Sequence, residues 1–457
     1  MQKRKNIILL TIECLRKDFV SVYNYEEHNT PNLHKIARKS LIYDNFYSSS
    51  SWTPPSFYAI FTSNYPLMDE GRVSLNKYDI TFTEILRKNG YYTIGLTTGG
   101  WLSKYFGFDK GFIKFYDGSS RKQAKSPRFK LKEFIKNSEI LGEPVRYLYF
   151  YKKYYWHRRG YSDELNSRAL EWLNNLSGKP FFLWIHYPET HEPYYPPRQM
   201  TIYRFNEIWR LNKKIMKDIG TRKRGALKLS PKEKEMLLNL YRSELKYVDE
   251  KIGDLMEKLD DIGYLNEDTY VFIMGDHGQQ FLEHGDFGHG VYLYEELCNV
   301  PLLIYNENFK ERKERTFVSG IDIGPTILDI ANIPYPESFL GTSIFTANSN
   351  REIILQEGRN KRNDFIIKGN NIYLDIRKYK IALIENSYKY IMTCAQDELY
   401  NLKKDPKEKN NLIDIETEIY ISLSKRLKKC LKQIHKADLK QRIKRLKLRE
   451  YEKDIKK

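Results

Sequence analysis

Short apolar runs alternate with stretches of helical periodicity over the first two-thirds of this 457-residue chain. Each run has the length of a buried strand and falls well short of a membrane span. The runs lie at residues 6–12, 91–97, 181–187, 270–275 and 301–305. Strands that alternate with helices are typical of a largely parallel sheet. The pattern therefore predicts an α/β domain.

Two hydroxyl-proline pairs mark helix starts. Thr30 precedes Pro31, and Ser230 precedes Pro231. A hydroxyl residue at the cap and a proline at the first helical position favour a helix start. After Pro231, apolar residues recur with helical spacing to about Asp261, which predicts one long helix.

From about residue 351 the apolar pattern changes to period two. Residues 371–377 alternate in this way, and residues 380–385 and 388–394 form a predicted hairpin around Asn386-Ser387. Such alternation indicates a small antiparallel meander. We therefore expect a catalytic α/β domain at 1–345, an antiparallel subdomain at 346–415 and a helical tail at 416–457.

The positive charge of the chain is uneven. Its formal net charge is +18, and residues 425–457 alone supply +11. Two further basic segments, at 119–160 and 203–229, are predicted insertions in the catalytic domain. The tail is either a solvated helix or a helix that lies on an anionic membrane surface. No nucleic-acid recognition motif accompanies it, so a nucleic-acid partner is not expected.

The N-terminus resembles a signal peptide only superficially. Its apolar run of six residues is shorter than the ~7–15 residues of a signal, and charged residues follow without a small-residue cleavage site. The four cysteines are widely spread, which argues against a disulfide framework. We therefore expect a cytoplasmic protein without a transmembrane segment, with the inner membrane face as the alternative location of the tail.

Histidines concentrate in two clusters, each directly after a predicted strand. Five of the nine lie there, namely His186, His191, His277, His284 and His289. Glu13 and Asp276 also follow predicted strands. Because ligands of open α/β sheets bind beyond the carboxyl ends of strands, these side chains predict a divalent-cation site. A single such histidine would more often be an ordinary satisfied polar residue.

A hydroxyl group completes this constellation. In Ser51-Trp52-Thr53-Pro54-Pro55-Ser56, Thr53 is a predicted N-cap and Pro54 the first helical residue. A capped helix alone would explain this segment. Beside a bound cation, however, the Thr53 hydroxyl is a candidate nucleophile for phosphoryl or sulfuryl transfer.

These segments together resemble the sulfatase family of the alkaline phosphatase superfamily, in the order of that family. The resemblance implies an α/β/α sandwich with a mostly parallel sheet and a small C-terminal antiparallel subdomain. The segments that carry it are NIILLTIECLRKD at 6–18, SWTPPS at 51–56, HYPETHEPYYPP at 186–197, GDHGQQFLEHGDFGHG at 275–290 and ELYNLKKDPKEKNNL at 398–412.

The resemblance also implies roles for individual residues. Glu13, Asp276 and His277 match metal ligands, and Thr53 matches a residue that is both ligand and nucleophile. One divalent ion is implied, and the ligand chemistry is compatible with Mn, Mg, Zn and Ca.

The remaining histidines match positions around the transferred group. His191 resembles the histidine of the substrate loop, and His289 resembles a residue that binds a substrate oxygen. His186 and His284 are weaker candidates, expected behind the metal ligands.

Departures from the family pattern point away from its usual chemistry. Thr53 stands at the position of the cysteine that is converted to formylglycine, so no formylglycine is expected. Phe57 replaces an arginine, Cys14 replaces an aspartate, and the segment Gly99-Gly100-Trp101-Leu102 lacks a lysine and a histidine.

Three functions remain open from the sequence. The first is cleavage or transfer of a phosphate ester, such as a phosphodiester or a phosphoglycerol-like group, by Thr53. The second is hydrolysis of a sulfate ester without formylglycine. The third is a non-catalytic relative that binds anionic polymers. All three imply an anionic partner, which could be linked to a glycan or a lipid.

Overall fold

The computed structural model describes residues 4–118, 147–148, 151, 161–176, 178–221, 227–345, 353–359, 365–369, 371–374, 379–393 and 395–454. Within them, eight strands form one sheet in the order β10-β2-β9-β6-β1-β5-β3-β4. These strands are β1 (Asn6–Ile12), β2 (Ser40–Tyr47), β3 (Tyr92–Leu96), β4 (Lys114–Tyr116), β5 (Phe181–Tyr187), β6 (Thr269–Gly275), β9 (Leu302–Tyr305) and β10 (Arg312–Ser319). A separate short pair joins β7 (Gln280–Phe281) to β8 (Phe287–Gly288).

The prediction of a largely parallel sheet is confirmed. Only β9 runs antiparallel to its neighbours among the described strands of this sheet. The five predicted strands are β1, β3, β5, β6 and β9, each with bounds within one residue of the prediction. The sequence did not indicate β10, because this edge strand reads RKERTFVS and exposes most of its length.

Alternating side chains of β1 place it between two helical layers. Ile7 and Leu9 enter one hydrophobic core, whereas Ile8, Leu10 and Ile12 enter another. Since neighbouring strand residues point to opposite faces, a strand that is apolar throughout needs cover on both sides. The α/β/α sandwich follows directly from this burial.

Helices cover both faces of the sheet. Residues of α2 (Thr53–Thr62), α3 (Phe82–Lys88) and α8 (Ile323–Ile330) lie in the first core. Residues of α1 (Pro31–Ala37), α4 (Tyr161–Leu173), α5 (Phe205–Thr221) and α6 (Pro231–Asp261) lie in the second. The remaining helices are the short α7 (Glu295–Cys298) and the C-terminal α9 (Thr417–Asp454).

Two predicted helix starts are confirmed and a third is displaced. Thr30 is the N-cap of α1, and Ser230 forms a capping box with Glu233 at the start of α6. In α2, the N-cap is Trp52 and Thr53 is already helical, so the predicted cap at Thr53 was wrong by one residue. The Thr53 hydroxyl contacts residues from other segments instead of the backbone of its own helix.

The two predicted basic insertions differ in what the structure describes. The segment 203–229 contains α5, whose Ile208, Leu211 and Ile215 are buried. Most of the segment 119–160 lies outside the described residues.

Beyond the main sheet, the chain forms the predicted small antiparallel structure. One sheet has the order β11-β14-β15-β16, with strands Ile353–Arg359, Tyr379–Glu385, Tyr388–Met392 and Glu398–Asn401. A second pair joins β12 (Phe365–Lys368) to β13 (Asn371–Leu374). The hairpin turn lies at Asn386 and Ser387, whose φ angles of 51° and 70° match a tight two-residue turn. Residues 375–377 and 394 of the predicted strands lie outside the described part.

The C-terminal helix packs partly on the rest of the chain. Leu423, Leu427 and Ile434 are buried, whereas Leu439 and Ile443 are about half exposed. The backbone N–H of Asp69 donates to Asp438 at 2.8 Å. No helix among the described residues is both long and apolar enough to cross a bilayer. The boundaries at residues 345 and 415 stay a prediction.

Candidate active site

The ends of three neighbouring parallel strands bring distant polar residues together. Ile12, the last residue of β1, pairs with Tyr187 on one side and with Gly275 on the other. The N–H of Glu13 then donates to Tyr187 at 2.9 Å, and the N–H of Asp276 donates to Ile12 at 3.3 Å. Glu13 and Asp276 therefore leave the sheet at the same edge.

Helix α2 is tied to this edge through two serines. The hydroxyls of Ser48 and Ser56 both donate to the carbonyl oxygen of Asp276, at 2.5 and 2.7 Å. This anchoring places the Thr53 Oγ1 atom 3.3 Å from Oε1 of Glu13 and 3.0 Å from Nε2 of His277. The four predicted residues Glu13, Thr53, Asp276 and His277 thus form one continuous group.

Hydrogen bonding fixes which atoms of this group face its centre. His277 Nδ1 lies 2.9 Å from the carbonyl of Gly278, so Nδ1 carries the proton and Nε2 presents its lone pair to Thr53. Asp276 Oδ1 accepts from the N–H groups of Cys14 and His277, at 3.1 and 2.8 Å. Asp276 Oδ2 is buried without a hydrogen-bond partner among the described residues and lies 3.5 Å from His277 Nε2.

In this group, hydrogen-bond acceptor atoms outnumber the hydrogens that can be donated to them. Oxygen atoms of Glu13 and Asp276 and the Nε2 of His277 surround a single hydroxyl hydrogen, that of Thr53. Buried acceptors without donors are costly unless a cation compensates them. Two carboxylates, an imidazole and a hydroxyl also match the ligand preferences of divalent ions. The residues present therefore fit a divalent cation.

His186 lies directly behind Glu13. Its Nδ1 is 3.0 Å from the hydroxyl of Thr11, and its Nε2 is 3.6 Å from Oε2 of Glu13. The ring of Phe57 meets the His186 ring edge-on at 5.0 Å. His186 therefore lies next to the Glu13 carboxylate, and its role behind a metal ligand stays a prediction.

His191 and His289 lie on the other side of the group. His191 Nε2 is 4.0 Å from Glu13 Oε1, and its Nδ1 is 2.5 Å from the carbonyl of Glu192. The His289 ring lies 4.6 Å from the His277 ring and 5.0 Å from the His191 ring. Both predicted substrate-facing histidines thus border the candidate metal ligands.

A second set of donor atoms lies beside the first. Cys14, His191, Glu192 and His289 each offer an atom within 4.8 Å of the others, a spacing that could hold a metal ion. However, Nδ1 of His289 lies 2.8 Å from Oε1 of Gln279, and the Gln279 amide donates to Glu192 at 3.0 Å. Because Nδ1 of His191 also faces a carbonyl oxygen, we interpret this set as a hydrogen-bonded network that orients the two rings.

Charges in the group shift its pKa values strongly. Burial raises the pKa of Glu13, but the positive charge of His191 and hydrogen bonding to His186 outweigh it and hold that pKa at about 2. Burial lowers the pKa of His191, but the charges of Glu192 and Glu13 outweigh it and raise that pKa to about 9. Burial raises the pKa of Asp276 and of the Cys14 thiol.

His284 does not join this group. Its Nδ1 lies 2.9 Å from Glu296 and its Nε2 lies 3.2 Å from the carbonyl of Glu408. Its ring stacks on Tyr294 with 3.8 Å between centroids. His284 therefore links the β7–β8 region to the C-terminal part of the chain, and the expectation that it supports a metal ligand is corrected.

A cavity of about 490 Å³ opens above the group and includes Glu13 and Thr53 in its lining. This volume lies in the range of small-molecule sites. The segment Gly99-Gly100-Trp101-Leu102 also lines it.

Several residues of the cavity were not predicted. They are Glu189, Glu192 and Glu244, which line the cavity, and Gln279, which lies beside the cavity and orients His289. Glu244 had a sequence signal, because it lies on the apolar stripe of α6 between Tyr241 and Val248. A buried carboxylate on an apolar helix face is unusual and makes the position a candidate for a polar contact.

Comparisons with known proteins agree with this geometry. The chain matches the family model described as Sulfatase over residues 5–333, and that described as N-sulphoglucosamine sulphohydrolase, C-terminal, over residues 282–437. An arylsulfatase of Clostridium perfringens is 26% identical over 453 residues, which cover 90% of this chain and 91% of the relative. The uncharacterized sulfatase YidJ of Escherichia coli is 23% identical over 435 residues, covering 90% and 84%.

Solved structures share the fold at low sequence identity. A phosphonate monoester hydrolase of Agrobacterium radiobacter superposes with a TM-score of 0.71 at 16% identity, covering 94% of this chain and 96% of its own. The BT4656 structure, solved in complex with its substrate D-glucosamine-2-N,6-O-disulfate, superposes with a TM-score of 0.68 at 19% identity, covering 96% and 99%. These similarities show a shared fold.

Proposed function

The chain belongs to the sulfatase family of hydrolases, and we propose that it cleaves a phosphate ester with Thr53 as the nucleophile. A phosphodiester or a phosphoglycerol-like group is the proposed substrate. The observation that carries the proposal is the position of the Thr53 hydroxyl, 3.3 Å from Glu13 and 3.0 Å from His277. An ordinary alcohol here occupies the place of the family's aldehyde-forming cysteine.

The missing aldehyde favours phosphate over sulfate. A formylglycine hydrate has two hydroxyls on one carbon, so its sulfate ester can expel sulfate and re-form the aldehyde. A threonine ester has no second hydroxyl on that carbon. Its release requires water to attack the central atom, and a phosphothreonine can be resolved in this way by attack at phosphorus.

The residues around Thr53 would have separate roles in this reaction. Glu13, Asp276 and His277 would hold the divalent cation together with Thr53. When bound, such an ion lowers the pKa of an alcohol and offsets charge on phosphoryl oxygens. The Thr53 oxygen would bond to phosphorus as the bond to the leaving oxygen breaks.

His191 and His289 would act on the substrate side of this reaction. His191 Nδ1 faces the carbonyl of Glu192, so its Nε2 can protonate the leaving oxygen when the ring is doubly protonated. His289 donates its Nδ1–H to Gln279, so its Nε2 can donate to a non-bridging oxygen when the ring is doubly protonated. Water then attacks phosphorus, releases the phosphate and restores the Thr53 hydroxyl.

Parallel turnover of bis(p-nitrophenyl) phosphate and p-nitrophenyl sulfate tests this proposal, with Mn²⁺, Mg²⁺, Zn²⁺ and Ca²⁺ supplied separately. We expect cleavage of the phosphodiester, and a loss of about 10³-fold or more in Thr53→Ala. Thr62→Ala is the matched control, because it removes a hydroxyl from the same helix that binds only Tyr58. Unchanged turnover in Thr53→Ala would contradict the role of Thr53, and no turnover by the wild-type protein with any of the four metals and either ester would favour a non-catalytic binding protein.

Sulfate ester hydrolysis is the second candidate function. The arylsulfatase of Clostridium perfringens, which aligns along 90% of this chain, favours it. A strong preference for p-nitrophenyl sulfate in the same assay would support this candidate and overturn the first.

A further inference from the structure

Carboxylates line the cavity, although the chain as a whole is positively charged. The chain carries a net charge of +18, yet none of the described residues that line the cavity is lysine or arginine. Glu189, Glu192 and Glu244 line it in addition to Glu13. An ester that reaches Thr53 must therefore place its alcohol portion beside several carboxylates.

These three carboxylates are buried and held in place. Their residues are 9%, 8% and 4% exposed, in the order Glu189, Glu192 and Glu244. Glu189 accepts from the backbone N–H of Ser162 at 2.7 Å, and Glu244 accepts from that of Tyr195 at 2.7 Å. Because they sit at low dielectric, their potential acts strongly on a charged group inside the cavity.

Aromatic side chains form other parts of the wall. Trp101, Tyr161, Tyr195 and Tyr247 line the cavity, and the Trp101 ring meets Trp52 edge-on at 5.5 Å. Aromatic faces attract cations, most of all quaternary ammonium groups, by an interaction worth about 0.5–2 kcal/mol. Carboxylates and aromatic rings thus favour the same kind of ligand.

We propose that this cavity selects an ester whose alcohol portion carries an ammonium group, primary or quaternary. The inference rests on the proposed ester hydrolysis by Thr53 and adds its substrate class. The anionic ester would face the candidate cation site, while the ammonium would lie among Glu189, Glu244 and the aromatic wall. A further sulfate or carboxylate on the alcohol would meet these glutamates and be repelled.

Catalysis by a matched pair of esters tests this selection. Choline p-nitrophenyl phosphate and 3,3-dimethylbutyl p-nitrophenyl phosphate have the same leaving group and nearly the same shape, but only the first carries a cation. We expect kcat/KM to favour the choline ester about tenfold or more, mainly through KM. Equal values for the two esters would overturn the proposal, and would indicate an uncharged alcohol portion such as a sugar.

Charge-neutralising variants localise the effect. Glu244→Gln and Glu189→Gln should each reduce the preference for the choline ester several-fold, since the amide keeps an acceptor for the backbone N–H. Glu257→Gln is the control, because this residue is exposed on the same helix, α6, and should leave the preference unchanged. A preference that persists in both cavity variants would overturn the assignment of these glutamates.

Equilibrium binding separates this inference from the proposed reaction. Titration of Thr53→Ala with choline chloride, followed by tryptophan fluorescence and by calorimetry, should show binding that 3,3-dimethylbutan-1-ol does not show at the same concentrations. Binding of choline without turnover of either ester would refute the proposed function and keep the cation site. Turnover without choline binding or ester preference would support the proposed function and refute the cation site.

Discussion

Two buried charged clusters in this protein are built in opposite ways. At the candidate active site, one Asp276 oxygen has no hydrogen-bond partner among the described residues, and Glu13 is contacted by a hydroxyl at 3.3 Å. At the junction with the C-terminal sheet, Lys389 lies between two carboxylates, 3.0 Å from Glu295 and 3.1 Å from Glu408.

The junction cluster contains its own cation, Lys389. The other Glu295 oxygen lies 3.1 Å from the hydroxyl of Tyr47 and 2.8 Å from the amide of Asn299. The other Glu408 oxygen accepts from the backbone N–H of Glu295 at 2.6 Å. A cluster that contains its own cation joins parts of a fold, whereas one with surplus acceptors and no cation is prepared for a ligand. The following predictions test this contrast.

The largest expected effect on stability comes from a substitution at the junction. Lys389→Met removes the cation and leaves two buried carboxylates, which should lower the free energy of unfolding by about 3–5 kcal/mol. Urea denaturation monitored by circular dichroism measures this. Lys404→Met, at an exposed position nearby, should change it by less than about 0.5 kcal/mol. A loss below about 1 kcal/mol in Lys389→Met would show that the junction does not depend on its ion pairs.

A divalent cation should stabilise the protein through the other cluster. At a concentration 100 times its dissociation constant, the gain is about 2.7 kcal/mol. Urea denaturation with Mn²⁺ and with EDTA measures it. Asp276→Asn should show little of this gain, and Lys389→Met should keep all of it. An equal gain in Asp276→Asn would mean that the ion binds elsewhere.

The junction should also make stability depend on pH. Burial raises the pKa of Glu408 from an ordinary 4.5 to about 8. Because the folded state holds this proton more tightly, the stabilisation is complete below about 4.5 and is lost as the pH rises to about 8. The slope is at most about 1.4 kcal/mol per pH unit. Glu408→Gln should reduce this pH dependence of stability. An unchanged slope in the variant would mean that other groups cause the pH dependence.

The fold was predictable where burial alone determines the pattern. Strands β1, β5 and β6 are covered on both faces, so their apolar runs are unbroken in the sequence. Strand β10 is an edge strand with charged residues, and its position depends on pairing with β2 rather than on an apolar run. Tertiary pairing of this kind leaves no local signal.

For the site, position after a strand was informative but not sufficient. His277 and His284 follow β6 in the same segment, yet only His277 contacts Thr53. His284 is directed elsewhere by Glu296 and the Glu408 carbonyl, one of which comes from 124 residues away. The assignment of Glu13, Thr53, Asp276 and His277 as metal ligands stays a prediction, although the structure brings them together.

The smallest expected change in stability separates the two clusters most clearly. Without added cation, Asp276→Asn should change the free energy of unfolding by no more than about 1 kcal/mol. The amide keeps an oxygen for the N–H groups of Cys14 and His277 and removes a buried charge, which offsets the cost of the substitution. Urea denaturation in EDTA measures this change.

The same Asp276→Asn substitution should lower phosphodiester turnover by about 10²–10³-fold, in the range found when one electrostatic contribution to a transition state is lost. The assay is run with Mn²⁺ at saturation for the wild-type protein. If Asp276→Asn instead lost about 3 kcal/mol or more of stability in EDTA, Asp276 would serve the fold as Lys389 does. Its unpartnered oxygen would then be a structural feature, and the contrast between the two clusters would fail.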